Sequence, residues 1–297
     1  MRKLLRNILS QRLIDFYKKQ KSNSKLNQRQ VLKNSNQVVT SQMITDVLKQ
    51  QGITKGDTIM LHSSLSKLGY VEGGAETVIQ AFLEFIDKDG TLVMPSFPAI
   101  GFNYDYLKTN PVFDILHTPS KMGVITEVFR KMKDVKRSFH PTDAVCAIGK
   151  LADYLIKDHF NQLTPYNQNS PFYRLVELKA KIILIGVDLN SLTNFHTLED
   201  AIPNFEYPVY HHTIFNAQVL NEKGEKINMQ TKAHNPIYSK KRKCNDFIKP
   251  FTDAGFMTSF KIGLANCYCI EADKLHDWMI ENYKQKGVTL YTPKGKD

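Results

Sequence analysis

The run Lys181-Ile182-Ile183-Leu184-Ile185-Gly186-Val187 constrains the fold more than any other stretch of this chain. Its aliphatic residues follow one another without polar alternation, the pattern of a strand covered on both faces. Such a strand needs layers on either side and suits the centre of a sheet. The next twelve residues are of opposite character: Asp188-Leu189-Asn190-Ser191-Leu192-Thr193-Asn194-Phe195-His196-Thr197-Leu198-Glu199. Polar groups then crowd the carboxyl end of a buried strand, where open α/β sheets bind their ligands.

The first half of the chain has the wiring to match. A helix is expected over 40–51, with Ser41 as cap and Gly52 as stop. A strand over 57–61, a helix over 75–86 and a strand over 90–94 stopped by Pro95 come next. Residues 96–120 read as a long aromatic loop, of the kind that forms lids and binding walls. A helix over 122–133, a strand over 144–148, a hairpin over 213–230 turning at 222–225, two further strands and a closing helix over 273–286 complete the chain. The fold class is α/β: a central, mostly parallel or mixed sheet flanked by helices.

The net charge of +11 suggests nucleic acid until it is located. Residues 1–35 hold ten Lys or Arg and one acid, leaving 30 basic against 28 acidic residues after them. The body is thus nearly neutral, and nucleic-acid binding is not expected of it. Leu4, Leu5, Ile8, Leu9, Leu13, Phe16 and Tyr17 fall near helical spacing among the basic residues. Residues 1–37 therefore read as a basic amphipathic arm and polar linker, and 38–290 as one domain. The arm suits packing on the domain or on a second copy of the chain, or peripheral contact with an anionic membrane through residues 2–20. Cys146, Cys244, Cys267 and Cys269 show no CxxC pairing, so a reducing, cytoplasmic setting is the expectation.

Several constellations bear chemistry, each with a plainer reading beside it. If His196 opens a helix, Glu199 shares its face and can hold the imidazole in one tautomer, as a general base requires. The pair reads equally as a structural histidine with an acid favoured by the helix dipole. Ser63-Ser64 after a strand and Gly73-Gly74 before a helix offer hydroxyls and backbone N–H groups to an anion, or merely make tight turns. Arg137, beside Ser138, supplies a cation for a second phosphate group, or a surface ion pair. His62, His140, His196, Glu199, His211 and His212 offer metal ligands, but no dense ligand motif unites them and no metal is expected.

In this order the motifs resemble the aminoglycoside 3-N-acetyltransferase family, which is distinct from the common GNAT acetyltransferases. The matching stretches are Leu61-His62-Ser63-Ser64-Leu65, Gly73-Gly74-Ala75, Gly90-Thr91-Leu92-Val93-Met94-Pro95 and Thr118-Pro119-Ser120-Lys121-Met122-Gly123. Arg137-Ser138-Phe139-His140-Pro141-Thr142, Ser170-Pro171-Phe172 and Leu184-Ile185-Gly186-Val187 running on to His196-Thr197-Leu198-Glu199 extend the match.

The resemblance implies acetyl-CoA as donor, no metal, and direct transfer to an amine of an aminoglycoside or related amino sugar. It implies His196 as catalytic base with Glu199 beside it. It places the CoA phosphates at His62, Ser63, Ser64, Leu65, Gly73 and Gly74, with Arg137 adding a cation, and the thioester near Ser138 and Thr142. Two departures stand out. Family members often carry His and Ser after the His-Pro-Thr triplet, where this chain has Asp143 and Ala144. Beyond the 222–225 turn, where acids for a polycationic acceptor are expected, the chain reads Thr231-Lys232-Ala233-His234-Asn235. Asp105 supplies one acid from the aromatic loop. Lys232 and His234 better suit an anionic acceptor, such as a nucleotide- or lipid-linked amino sugar of surface-polysaccharide or secondary-metabolite biosynthesis.

Overall fold

The computed structural model describes residues 38–296, so the basic arm and most of the linker lie outside the described residues. Twelve strands are described: β1 (Val38–Val39), β2 (Thr58–Ser63), β3 (Tyr70–Val71), β4 (Thr91–Pro95), β5 (Val112–Asp114), β6 (Lys136–Arg137), β7 (Val145–Gly149), β8 (Lys181–Ile185), β9 (Phe215–Leu220), β10 (Lys226–Thr231), β11 (Met257–Ile262) and β12 (Ala265–Glu271). Seven form one mixed sheet in the order β11-β12-β8-β2-β4-β7-β6. Its heart, β8-β2-β4, is parallel, and every flanking pair is antiparallel. The 181–187 run thus stands beside the centre, which β2 occupies. Both strands are buried on both faces, so hydrophobicity alone does not rank them.

Alternation along these strands divides two cores. Met60, Val93, Ile182, Leu184 and Ile270 face one layer, where helices Pro171–Glu177 and Ala272–Lys286 pack with the aromatic cluster Phe195, Phe247 and Phe251. Ile59, Leu61, Leu92, Ile183, Ile185, Cys267 and Cys269 face the other, against helices Ser41–Gln50, Ala75–Ile86 and Val124–Arg130. Burying about ten aliphatic side chains per face at roughly 1.5–3 kcal/mol each is what holds the layers on the sheet. All four cysteines are buried and free, with Cys267 and Cys269 on the same side of β12.

Local chemistry moves several element ends. The first helix is capped by Thr40 rather than Ser41: the Thr40 hydroxyl accepts from the Met43 amide at 3.3 Å. Pro95 closes β4 instead of stopping it, because β2 pairs only as far as Val93 and no neighbour there needs a proline N–H. Gly123, at φ 117°, delays the next helix to Val124. Gly149 sits at φ 119°, where a Cβ would come within 2.1 Å of the Gly90 carbonyl oxygen, so β7 can end against β4 only with glycine.

The 96–120 loop is not structureless. It contains helix Asn103–Leu107 and β5, and β5 pairs in parallel with β9 of the β9–β10 hairpin to make a separate three-stranded sheet. That sheet has its own small core of Leu107, Phe113, Ile115, Val219 and Met229. Among the described residues no helix is long and apolar enough to cross a membrane.

Candidate active site

A cavity of about 400 Å³ opens at the carboxyl ends of the three parallel strands. His62 and Ser63 come from the end of β2, Pro95 from the end of β4, and Val187, Asn190–Thr193, Phe195 and His196 from the segment after β8. The aromatic loop supplies Phe97, Phe102 and Asn103, and the chain beyond β10 supplies His234, Ser239 and Arg242.

His196 is the first residue of helix His196–Ala201, which puts Glu199 on its face. Nδ1 of His196 lies 2.8 Å from Glu199 Oε2, and Nε2 of His234 lies 2.9 Å from the same oxygen. The Tyr291 hydroxyl donates to Glu199 Oε1 at 3.2 Å. The carboxylate side chain is only 1% exposed. Burial works against its charge, yet the His196 and His234 contacts hold it well below the usual carboxylate range. Burial also pushes the His196 ring below its ordinary value, with Arg242 acting in the same direction and Glu199 opposing. His234 is pushed down to about 3, first by burial and then by Arg242. Both imidazoles are therefore neutral donors to an ionised carboxylate. With Nδ1–H committed to Glu199, His196 keeps the Nε2 lone pair for the cavity.

The carboxylate on the cavity wall itself is that of Asp143. Asp143 is 2% exposed and accepts from the Tyr166 hydroxyl at 2.7 Å, the Thr142 hydroxyl at 2.7 Å and the Asn103 amide at 3.0 and 3.1 Å. Burial raises its pKa against the pull of these donors. Tyr166 joins the two halves of the site, because its ring packs 4.9 Å from that of His196 and 5.4 Å from that of His234. Tyr210 stacks on the other side of His234 at 4.7 Å.

The expected residues divide in space. His62, Ser63, His196 and His234 line the cavity, with Glu199 directly behind. Ser64 and Leu65 follow β2, and Gly73 and Gly74 head helix Ala75–Ile86, away from the cavity wall. Thr142 stands one residue behind the wall and orients Asp143. Ser138 is buried between the His159 ring and the Val145 amide. Asp105 is exposed and off the wall. Arg137 is turned inward: its guanidinium donates to the carbonyls of Ser96 and Thr118 at 2.6 Å and of Ile115 at 3.3 Å, over the Phe113 ring. No nitrogen of Arg137 is turned to the cavity that holds His196.

The metal candidates fare unevenly. His196, Glu199 and His234 offer ligand atoms within 4.8 Å of one another, a grouping that sequence spacing did not bring together. His140 instead stacks on His159, and His211 packs on His212 and Tyr104, both outside that group. Asp143, Tyr166, Asn103, Arg242 and Tyr291 belong to the site without having been expected there. For Asp143 a signal existed, since it is the position at which the triplet departs from the family pattern. The others sit in loops of ordinary composition and reach the cavity only through the fold.

Besides two nitrogens of Arg242, the buried wall atoms His62 Nε2 and Ser63 Oγ have no partner among the described residues. A carbonyl or amide of a bound thioester arm would satisfy them.

Comparison with known proteins agrees with this architecture. The family described as aminoglycoside 3-N-acetyltransferase matches residues 60–284. The aminoglycoside N(3')-acetyltransferase-like protein YokD of Bacillus subtilis (strain 168) is 30% identical over 263 residues, covering 82% of this chain and 93% of its own. Aminoglycoside N(3)-acetyltransferase III of Salmonella sp is 31% identical over 185 residues, covering 58% of this chain and 64% of its own. The solved structure of AAC-IIIb in binary complex with CoASH superposes with a TM-score of 0.70 at 20% identity, covering 84% of this chain and 97% of that one. With the family matched across most of its length, the chain belongs to the aminoglycoside 3-N-acetyltransferases, a family of acyltransferases.

Proposed function

We propose that this protein moves the acetyl group of acetyl-CoA directly to an amine of an aminoglycoside or related amino sugar. The observation that carries the reading is the ionised, buried Glu199 fixing Nδ1–H of a neutral His196 on a cavity wall. The acceptor amine attacks the thioester carbonyl carbon, the C–N bond forms and the C–S bond breaks. His196 Nε2 takes the proton that the amine loses, and CoA departs as the thiol once its sulfur is protonated. A base placed in this way contributes roughly 10²–10⁴ in rate. Glu199 acts through His196 and His234 as a positioning residue. His62 and Ser63 face the thioester end of the donor. Ser64, Leu65 and the Gly73-Gly74 helix start hold the CoA phosphates outside the cavity, consistent with free backbone N–H groups at that helix end.

One observation favours the second reading, an amino sugar linked to a nucleotide or lipid. Among the described residues the cavity wall bears a single acid, Asp143, where a polycation would call for several. The deciding experiment is CoA release from acetyl-CoA against a panel of aminoglycosides and amino sugars, nucleotide-linked ones included, with His196→Ala as control. Turnover on the panel that is lost in His196→Ala supports the mechanism. Equal activity in the variant removes His196 as the base.

A further inference from the structure

The charged groups on the cavity wall are few and opposed. Of the described residues that line it, Asp143 is the one acid and Arg242 the one Lys or Arg. We propose that the acceptor is an amino sugar carrying a single amine and a phosphate, the amine held against Asp143 and the phosphate against Arg242. The inference rests on the acetyl-transfer reading above and names its substrate class.

Asp143 is built to hold a cation. Its two oxygens are fixed by Tyr166, Thr142 and Asn103, all neutral donors, so no protein cation cancels its charge. These donors make four contacts with its two oxygens, and an incoming amine N–H would take the place of the shared Asn103 amide, the longest of them at 3.0 and 3.1 Å. Through Tyr166 it stands across from His196, so an amine resting on it lies near the base.

Arg242 is built to hold an anion. Its Nε and Nη2 are buried and meet no partner among the described residues. Glu199, the neighbouring carboxylate, is already taken by His196, His234 and Tyr291. A guanidinium fork with unused N–H groups matches phosphate geometry in the two-pronged manner that arginine favours. A second cation waits nearby: Lys240 lies over the ring of Phe102, a wall residue, at 5.5 Å from its centroid. An acceptor with three or four ammonium groups would set some of them beside Arg242 in a site of low dielectric, where like charges repel strongly.

The test compares three acceptors in the CoA-release assay, on the full chain: glucosamine 1-phosphate, methyl glucosaminide and kanamycin. Wild type should show kcat/KM for the sugar phosphate at least about tenfold above the neutral glycoside, with the advantage shrinking as salt rises. Arg242→Gln should bring that ratio to about one, and Asp143→Asn should raise KM for both amino sugars. Calorimetric binding of the same compounds decides the matter where turnover is absent: the sugar phosphate should bind wild type at least about tenfold more tightly than Arg242→Gln. Preference for kanamycin, or the same sugar-phosphate ratio in Arg242→Gln as in wild type, overturns the inference. Arg242-dependent binding of the sugar phosphate without acetylation of any acceptor would remove the acetyl-transfer reading and leave the charge assignment standing. Circular dichroism of each variant separates loss of recognition from loss of fold.

Discussion

His196 and His234 lie 4.3 Å apart between ring centroids and donate to the same oxygen of Glu199. One carboxylate thus sets the tautomer of two imidazoles. Removing it should disturb more than removing either partner's ring alone would suggest. In Glu199→Gln, an amide N–H₂ can face the ring nitrogens and reverse the tautomer of His196, so kcat should fall by roughly 10²–10⁴. His234→Ala leaves the His196–Glu199 contact in place and should lower kcat by only about tenfold. Steady-state CoA release from the two variants checks the order, and an equal loss in both would make His234 a partner in proton transfer.

The pH dependence of kcat is set by the direction of the His196 shift. Its pKa lies below the ordinary 6.5, so the ring is neutral at pH 7 and available to take a proton. The acid limb of kcat should therefore have its midpoint below 6.5. Arg242 pushes the His196 value down and Glu199 pulls it up. Arg242→Gln should move the limb to higher pH, and Glu199→Gln to lower pH. A limb that ignores both substitutions would belong to another group.

Acid should also loosen the fold through its buried histidines. Burial lowers His62 to about 4 and both His159 and His234 to about 3. Each is neutral when folded but free to take a proton near 6.5 once unfolded, so the unfolded state binds more protons below that pH. The stabilisation is full above 6.5 and is lost as pH falls toward the folded values. His62 alone accounts for roughly 3 kcal/mol between pH 6.5 and 4. Urea unfolding at pH 7, 5.5 and 4.5 should show a midpoint that drops steadily. His62→Gln, which cannot titrate, should flatten that slope.

Arg137 gives a contrasting case. Its guanidinium holds the carbonyls of Ser96, Thr118 and Ile115, and burial lowers its pKa to about 10. Arg137→Met should cost about 3 kcal/mol or more, because buried carbonyls are left unpaired at roughly 1–3 kcal/mol each. Chemical denaturation measures that loss. A large rise in KM for acetyl-CoA without loss of stability would return Arg137 to the donor site.

These contrasts show what the chain displays before it folds. Ala75–Ile86 was legible to the residue, because its apolar positions recur at helical spacing between Gly74 and Asp87. The His196–Glu199 pair was legible for the same reason, being three residues apart on one helix. Arg137 was not, since nothing local tells a guanidinium that will bind phosphate from one that will bind carbonyls. Asp143, Tyr166 and Arg242 line one cavity only because the turn before β7, the loop after residue 160 and the segment after β10 converge on it. Contacts made across such separations leave no spacing to read.

The aromatic loop joins the β9–β10 hairpin in a sheet with its own core, while His196 and Glu199 stand on the segment after β8. The sheet beneath His196 and the three-stranded sheet beside it are therefore separate building blocks. Substitutions or insertions in that second sheet can reshape what enters the cavity while the strand order beneath the base stays intact. A fold built this way lets one rim of the cavity vary while the strands beneath His196 and Glu199 stay fixed.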